Sequence, residues 1–132
     1  MPQRFVILHH RVARGDHWDL MLERDGALMT WRLPREPVGA GSLPMPARRI
    51  GDHRLAYLTY EGPLSRGRGD VRRIDAGTLN ITNCTTDRIE FTLSEGRLAA
   101  PLLLLHQHGD VWHLARRDAT PSAPDDAFRP RR

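Results

Sequence analysis

Residues 17–26 read HWDLMLERDG, and this stretch decides the fold. Apolar and polar residues alternate from 17 to 23, as on a strand with one buried face. Asp25-Gly26 follows, and this dipeptide is typical of a type I′ turn because both central residues need positive φ. The pattern predicts a strand, a tight turn and a return strand over residues 27–33. Trp18, Leu20 and Leu22 fall on one face of the first strand, and His17, Asp19, Met21 and Glu23 fall on the other.

Short strand-like runs separated by turn residues occupy most of the remaining chain. They lie at residues 4–10, 70–74, 78–83, 88–94, 98–106 and 111–116, with Gly77 as one of the breaks. Residues 34–46 hold four prolines and predict a loop. Residues 51–62 are ambiguous, because Asp52 is able to cap a short helix that would place His53 and Tyr57 on one face. Many short strands with little helix predict a mainly all-β domain, either a barrel or a sandwich.

Composition sets broad limits on the class of protein. The chain has 132 residues, the size of one domain, and a net charge of +4. All 20 basic residues are arginine, which either a GC-rich genome or phosphate recognition would explain. The single Cys84 excludes an internal disulfide and a cysteine-based zinc site.

The sequence also gives expectations about the cellular location of the protein and about its C-terminal tail. No apolar run is long enough to span a membrane, and residues 1–5 have no signal-peptide layout. We therefore expect a cytoplasmic protein with no membrane partner. Residues 118–132 are proline-rich, polar and basic, and predict a disordered tail after a folded domain of residues 1–117.

His17-Trp18-Asp19 is the first candidate for a metal site. Residues two apart on a strand share a face, so His17 and Asp19 are able to converge on one ion. A neutral imidazole and a carboxylate suit a divalent ion such as Mn²⁺, Zn²⁺ or Fe²⁺. A third ligand has to come from a neighbouring strand, where only one of the adjacent His9 and His10 faces the same side. The alternative is a solvated strand face.

Four motifs, taken in order, resemble the 3′-phosphoesterase domain of bacterial DNA ligase D and its stand-alone relatives. They are residues 5–10 (FVILHH), 17–26 (HWDLMLERDG), 31–35 (WRLPR), and 52–57 with 60–62 (DHRLAY and YEG). Their order and spacing agree with the family apart from one additional residue between the first two. The resemblance covers residues 5–117 and implies a compact antiparallel β-barrel of about eight short strands with one short helix.

The same resemblance implies a metal centre and a catalytic pair. His10, His17 and Asp19 would hold Mn²⁺, with Zn²⁺ or another divalent ion as an alternative, and we expect these ligands to meet inside the barrel. His53 would contact or protonate the phosphate, with Tyr57 beside it.

The residues expected to bind the phosphate differ from the family pattern. Met21 stands where the resemblance places a phosphate-binding arginine, Leu8 where it places a glutamine, and Gly51 where it places an acidic residue. Losing one charge-assisted hydrogen bond costs about 1.5–3 kcal/mol, roughly ten- to a hundredfold. Arg14 and Arg35 are the expected substrate-binding residues, Arg35 because it stands where the family has a lysine.

The implied function is metal-dependent healing of DNA 3′ ends in repair, by removal of 3′-phosphates and of terminal ribonucleosides. We expect a monomer that acts on DNA 3′ ends, alongside DNA ligase and polymerase repair proteins. One alternative is a metal- and DNA-end-binding module with weak or no turnover. Met21 favours this alternative, as does the expected absence, ahead of residue 5, of the family's N-terminal peptide. The other alternative is a phosphoesterase with a different nucleotide substrate.

Overall fold

The structure is a closed antiparallel β-barrel. The computed structural model describes residues 2–118, so nearly all of the tail predicted over 118–132 lies outside the described residues. The strand order is β1-β2-β3-β4-β9-β8-β7-β6-β5, and β1 also pairs with β6, which closes eight strands into a barrel. The predicted all-β barrel is therefore confirmed. The strands are β1 (Gln3–Arg11), β2 (His17–Arg24), β3 (Ala27–Leu33), β4 (Met45–His53), β5 (Gly62–Pro63), β6 (Asp70–Cys84), β7 (Arg88–Ser94), β8 (Ala100–His108) and β9 (Val111–Arg116).

The turn between β2 and β3 has the predicted geometry. Asp25 has φ 53° and Gly26 has φ 81°, so both central residues adopt the positive φ of a primed turn. A two-residue turn fixes the register of the hairpin, and Asp19 consequently lies opposite Arg32.

Strand β4 is an element that the sequence pattern missed, because residues 34–46 predict a loop and residues 51–62 are ambiguous. Strand β4 pairs with β9 over residues 45–48 and with β3 over residues 48–53. The Arg49 N–H donates to the Asp110 carbonyl at 2.8 Å, so by alternation the nitrogen of Pro46 faces away from β9. The Pro46 nitrogen faces the side of β4 that pairs with β3, but that pairing covers only residues 48–53. Proline at position 46 therefore costs no hydrogen bond between strands.

The predicted helix is present only as a short turn. A 3₁₀ turn spans Leu55–Leu58, and its N-cap is Arg54, without a side-chain cap from Asp52. A second 3₁₀ turn spans Ala40–Ser42. Within residues 2–118, neither turn approaches the length or apolar character of a helix that crosses a membrane.

Strand β6 corrects the prediction of two separate strands at 70–74 and 78–83. It runs unbroken for 15 residues, pairing first with β1 and then with β7. Gly77 lies within it, where an added Cβ would come within 2.0 Å of the Ser94 carbonyl oxygen. Gly77 is therefore needed for a close backbone approach where β6 passes from one partner strand to the other, and not for a turn.

Two apolar clusters lie on opposite faces of β1, β2 and β3. The larger fills the barrel and includes Phe5, Ile7, Leu20, Leu22, Trp31 and Leu33. The smaller lies on the outer face and consists of Val6, Leu8, Met21, Leu28, Leu58 and Val71, with Tyr57 and Leu64 packed against it. Residues 57–71, which contribute four of these side chains, cover the outer face. Strands β1, β2 and β3 are therefore buried on both faces. On the outer face, the polar side chains beyond the smaller cluster line a pocket that residues 57–71 help to cover.

Candidate functional site

The three predicted metal ligands converge at one point on the outer face of the barrel. Strands β1 and β2 pair antiparallel, which places His10 opposite His17 and Leu8 opposite Asp19. One ligand atom from each of His10, His17 and Asp19 lies within 4.8 Å of the other two. The expectation that they meet inside the barrel is wrong, because these side chains share the face of Met21 and not that of Leu20.

Hydrogen bonds orient the two imidazoles. His10 Nε2 lies 2.7 Å from the carbonyl oxygen of Arg68, and His10 Nδ1 lies 2.7 Å from His17 Nε2. A carbonyl oxygen only accepts, so Nε2 of His10 carries a proton and donates it. In neutral His10, Nδ1 is then left as a lone pair facing His17, and the Arg68 carbonyl acts as the outer partner that metal-binding histidines commonly have.

The carboxylate of Asp19 lies between the Arg32 guanidinium and the two histidines. Its Oδ2 is 3.9 Å from His10 Nδ1, and its Oδ1 is 3.3 Å from Arg32 Nε. Asp19 is only 3% exposed, so its charge requires such partners.

This donor set fits a divalent ion. Two imidazoles and one carboxylate suit Mn²⁺, Fe²⁺ or Zn²⁺, and three protein donors leave coordination positions for water or substrate. Burial lowers the pKa of the His17 imidazole below its ordinary value, an effect that Asp19 opposes and that Arg32 and His10 reinforce. The neutral imidazole is the form that binds a metal ion.

His53 and Tyr57 enter the same pocket from β4 and the 3₁₀ turn. The His53 Nδ1 lies 2.9 Å from the Gly51 carbonyl oxygen and 3.1 Å from Thr30 Oγ1, whose hydroxyl donates to Leu28. Nδ1 therefore carries a proton, and within residues 2–118 Nε2 has no hydrogen-bond partner. The rings of His53 and Tyr57 meet edge to face at 5.5 Å.

The pocket has a volume of about 470 Å³ and a mixed lining. Leu8 and Met21 contribute to its wall, and both belong to the outer apolar cluster, with Met21 only 1% exposed. Two of the three positions where the family resemblance places polar side chains are thus filled here by apolar side chains of that cluster. Gly51 holds His53 through its backbone carbonyl and offers no side chain.

Arginines surround the pocket unevenly. Arg14, Arg32 and Arg68 line it, whereas Arg35 lies outside and donates to the carbonyls of Ser42 and Pro44. Arg32 was not among the sequence-predicted site residues. The signal was nonetheless present, because the Asp25-Gly26 turn fixes the position opposite Asp19 on the return strand.

Comparisons with known proteins give one consistent result. Residues 8–106 match the family model of the DNA Ligase D 3′-phosphoesterase domain. The chain is 35% identical over 120 residues to the multifunctional non-homologous end joining protein LigD of Mycobacterium bovis, covering 86% of this chain and 16% of that protein. The values are the same for the multifunctional non-homologous end joining DNA repair protein LigD of Mycobacterium tuberculosis. The multifunctional non-homologous end joining protein LigD of Pseudomonas aeruginosa is 34% identical over 77 residues. This match covers 56% of this chain and 9% of that protein. The chain thus spans about a sixth of the length of its mycobacterial relatives.

Proposed function

The chain belongs to the DNA ligase D 3′-phosphoesterase family, and we propose that it is a metal-dependent phosphoesterase that heals DNA 3′ ends. The observation that carries this proposal is the convergence of His10, His17 and Asp19 on a pocket that also receives His53. Its substrates would be 3′-phosphates and terminal ribonucleosides on DNA. Mn²⁺ is the proposed cofactor, with Zn²⁺ or another divalent ion as the alternative. We expect a cytoplasmic monomer that works beside DNA ligase and polymerase repair proteins.

The side chains divide the chemistry of phosphoester hydrolysis between them. His10, His17 and Asp19 would hold a divalent ion, which would supply Lewis acidity for activating water and polarising the phosphate. The Gly51 carbonyl holds the ring of His53, and in the imidazolium form Nε2 donates a proton to a phosphate or leaving-group oxygen.

Positive charge around the pocket favours an anionic substrate. Arg14 and Arg68 line the pocket and would attract the phosphate and the adjoining nucleic-acid backbone. Arg35 lies outside it, so a substrate contact by Arg35 would be to flanking nucleic acid. Tyr57 packs edge to face against His53 and would keep that ring in place.

A direct assay tests the proposal. Purified protein with Mn²⁺ should convert a 3′-phosphorylated primer on a template to a 3′-hydroxyl end, and a chelator should stop the reaction. The phosphoesterase domain of an active family member, assayed in parallel, is the positive control. If that control cleaves the primer and this protein leaves it untouched across Mn²⁺, Zn²⁺ and Fe²⁺, the catalytic proposal is wrong.

A binding module is the second candidate, and the apolar wall formed by Leu8 and Met21 favours it. It predicts binding of 3′-phosphorylated DNA ends that persists in His17→Ala, with no turnover in either protein. A phosphoesterase with another substrate remains the third candidate. A panel of nucleotide and RNA-end phosphoesters would support it only if one of them is hydrolysed faster than 3′-phosphorylated DNA.

A further inference from the structure

Arg32 is placed where a second pocket meets the candidate metal centre. It lines both the 470 Å³ pocket and an adjoining groove of about 310 Å³. The groove lies between the end of β3 and the beginnings of β4 and β9. Its lining is mainly apolar, from Leu33, Pro34, Pro46, Ala47 and Val111, and it shares His17 and Arg32 with the main pocket.

The guanidinium of Arg32 is anchored at one nitrogen only. Nε lies 3.3 Å from Asp19 Oδ1, and the side chain is 37% exposed. Among the residues that the structure describes, its two terminal amino groups have no hydrogen-bond partner. An arginine held in this way presents a planar pair of N–H donors that matches the oxygens of a phosphate.

The other nearby guanidinium groups are engaged differently. Arg68 donates to the backbone carbonyl and hydroxyl of Ser65, and Arg48 pairs with Asp110 at 3.5 Å. Arg14 lines the pocket but has no hydrogen bond that fixes it within residues 2–118. Of the arginines that line the main pocket, Arg32 is the one whose guanidinium bonds to a candidate metal ligand, since Arg68 contacts His10 through its backbone carbonyl.

Charge at this point favours an anion once the metal site is filled. A divalent ion and the Arg32 guanidinium would share the single carboxylate of Asp19, which leaves an excess of positive charge. Met21 lies two residues after Asp19 on the same face of β2. It is 1% exposed and supplies no charge. An oxygen of a bound phosphate would therefore find its charged donor on β3.

We propose that Arg32 is a phosphate-binding residue of this site, using its terminal amino groups while Nε stays on Asp19. The identity of the phosphoester rests on the proposed function above. The binding of phosphate itself does not, because it follows from the geometry of Arg32 and the candidate metal ligands.

The test compares Arg32→Ala and Arg32→Lys with Arg48→Ala. Arg48 is a matched control because it lies directly opposite Arg32 on β4 and lines the same groove, but not the main pocket, and its guanidinium pairs with Asp110. Three quantities are measured: Mn²⁺ affinity, inhibition by inorganic phosphate, and kcat/KM on the 3′-phosphorylated primer. Circular dichroism melting verifies that each variant folds.

Arg32→Ala should weaken phosphate binding and lower kcat/KM by roughly 10–100-fold, as expected for loss of a charge-assisted hydrogen bond. Mn²⁺ affinity should fall less than phosphate affinity, because Arg32→Ala removes a hydrogen bond that orients Asp19 but also removes a positive charge that repels the ion. Arg32→Lys should recover part of the loss, since it restores the charge without the planar fork. Arg48→Ala should behave like the unsubstituted protein.

Two results would overturn the proposal. Unchanged phosphate affinity in Arg32→Ala would show that the guanidinium does not bind the anion. An equal fall in Mn²⁺ and phosphate affinity would show that Arg32 acts only by positioning Asp19. If the unsubstituted protein hydrolyses nothing, broadening of the phosphate ³¹P signal by protein-bound Mn²⁺ still reports phosphate binding. Loss of that broadening in Arg32→Ala would then support Arg32 binding while the proposed function fails.

Discussion

The two faces of β1 and β2 are equally buried but serve different purposes. The inner face consists of large apolar side chains that pack across the barrel, such as Phe5, Ile7 and Leu20. The outer face begins with a similar apolar group, including Leu8 and Met21, and then changes to histidine and aspartate at one end of the strands. A covered outer face lets a small barrel keep a continuous core and still hold polar ligands away from bulk water.

This comparison teaches that burial on the outer face supports chemistry as well as stability. Among residues 2–118, the buried members of the inner face include no titratable group, whereas the outer face holds Asp19 at 3% exposure and His10 at 9%. Substitutions on the two faces should therefore separate stability from metal binding.

The largest effect on stability is expected from Leu20→Ala, on the inner face. Leu20 is fully buried in the main core, and truncating a buried leucine costs about 2–5 kcal/mol of unfolding free energy. The change should be seen in urea unfolding, whereas Mn²⁺ affinity of the folded protein should stay the same. A large fall in Mn²⁺ affinity with little loss of stability would show that the two faces are not independent.

Asp19→Asn is the matching change on the outer face, one residue earlier. It removes the carboxylate charge from the candidate metal site while keeping the size of the side chain. Mn²⁺ affinity should fall by more than the roughly 10–100-fold that follows loss of an outer partner, because a ligand itself is lost. Isothermal titration with Mn²⁺ measures this. Urea unfolding of the metal-free protein should change less than for Leu20→Ala, and the reverse order would contradict the division of roles.

Much of this contrast was predictable from residues 17–26. The alternation from 17 to 23 separates Leu20 from Asp19, and the Asp25-Gly26 turn fixes the register of the hairpin. The resemblance to the family supplied the third ligand, His10, which the residues alone left open between two adjacent histidines.

The remaining features depend on tertiary structure. Alternation states which side chains share a face but not which face lies inside, and β1 is apolar on both faces at residues 5–8. Strand β4 was missed because Pro46 is tolerated only where pairing with β3 has ended, a property of the assembled sheet. The outer cover, at residues 57–71, has no regular periodicity that would predict its position.

Gly69→Ala tests the close backbone contact between the outer cover, residues 57–71, and strand β1. Gly69 has φ +82°, and an added Cβ would come within 1.9 Å of the Arg11 carbonyl oxygen, so the backbone has to move. The preceding carbonyl, of Arg68, is the hydrogen-bond partner of His10. Mn²⁺ affinity should therefore fall by roughly 10–100-fold, as for loss of an outer partner of a metal ligand.

Gly67→Ala is the control for this change. Gly67 also has positive φ, at +69°. Within residues 2–118, no atom beyond its two chain neighbours lies within 4 Å of the position that an added Cβ would take, so the substitution adds strain without a clash. Its Mn²⁺ affinity should remain close to that of the unsubstituted protein. Equal losses for Gly67→Ala and Gly69→Ala would show that strain in the loop, and not the contact with β1, controls the site.

The smallest effect is a pH dependence that belongs to the outer face. Burial lowers the pKa of His17, so below its ordinary value of 6.5 the unfolded chain binds a proton that the folded, metal-free protein resists. The unfolded state then binds more protons, and stability falls as pH drops from 6.5 toward the lowered pKa. Thermal melting of the metal-free protein at a series of pH values should show this decrease, and His17→Gln should show less of it. Leu20→Val, on the inner face, should lower stability by a similar amount at every pH. If its pH profile flattens as that of His17→Gln does, the dependence does not arise at His17, and the two faces do not differ in the way proposed.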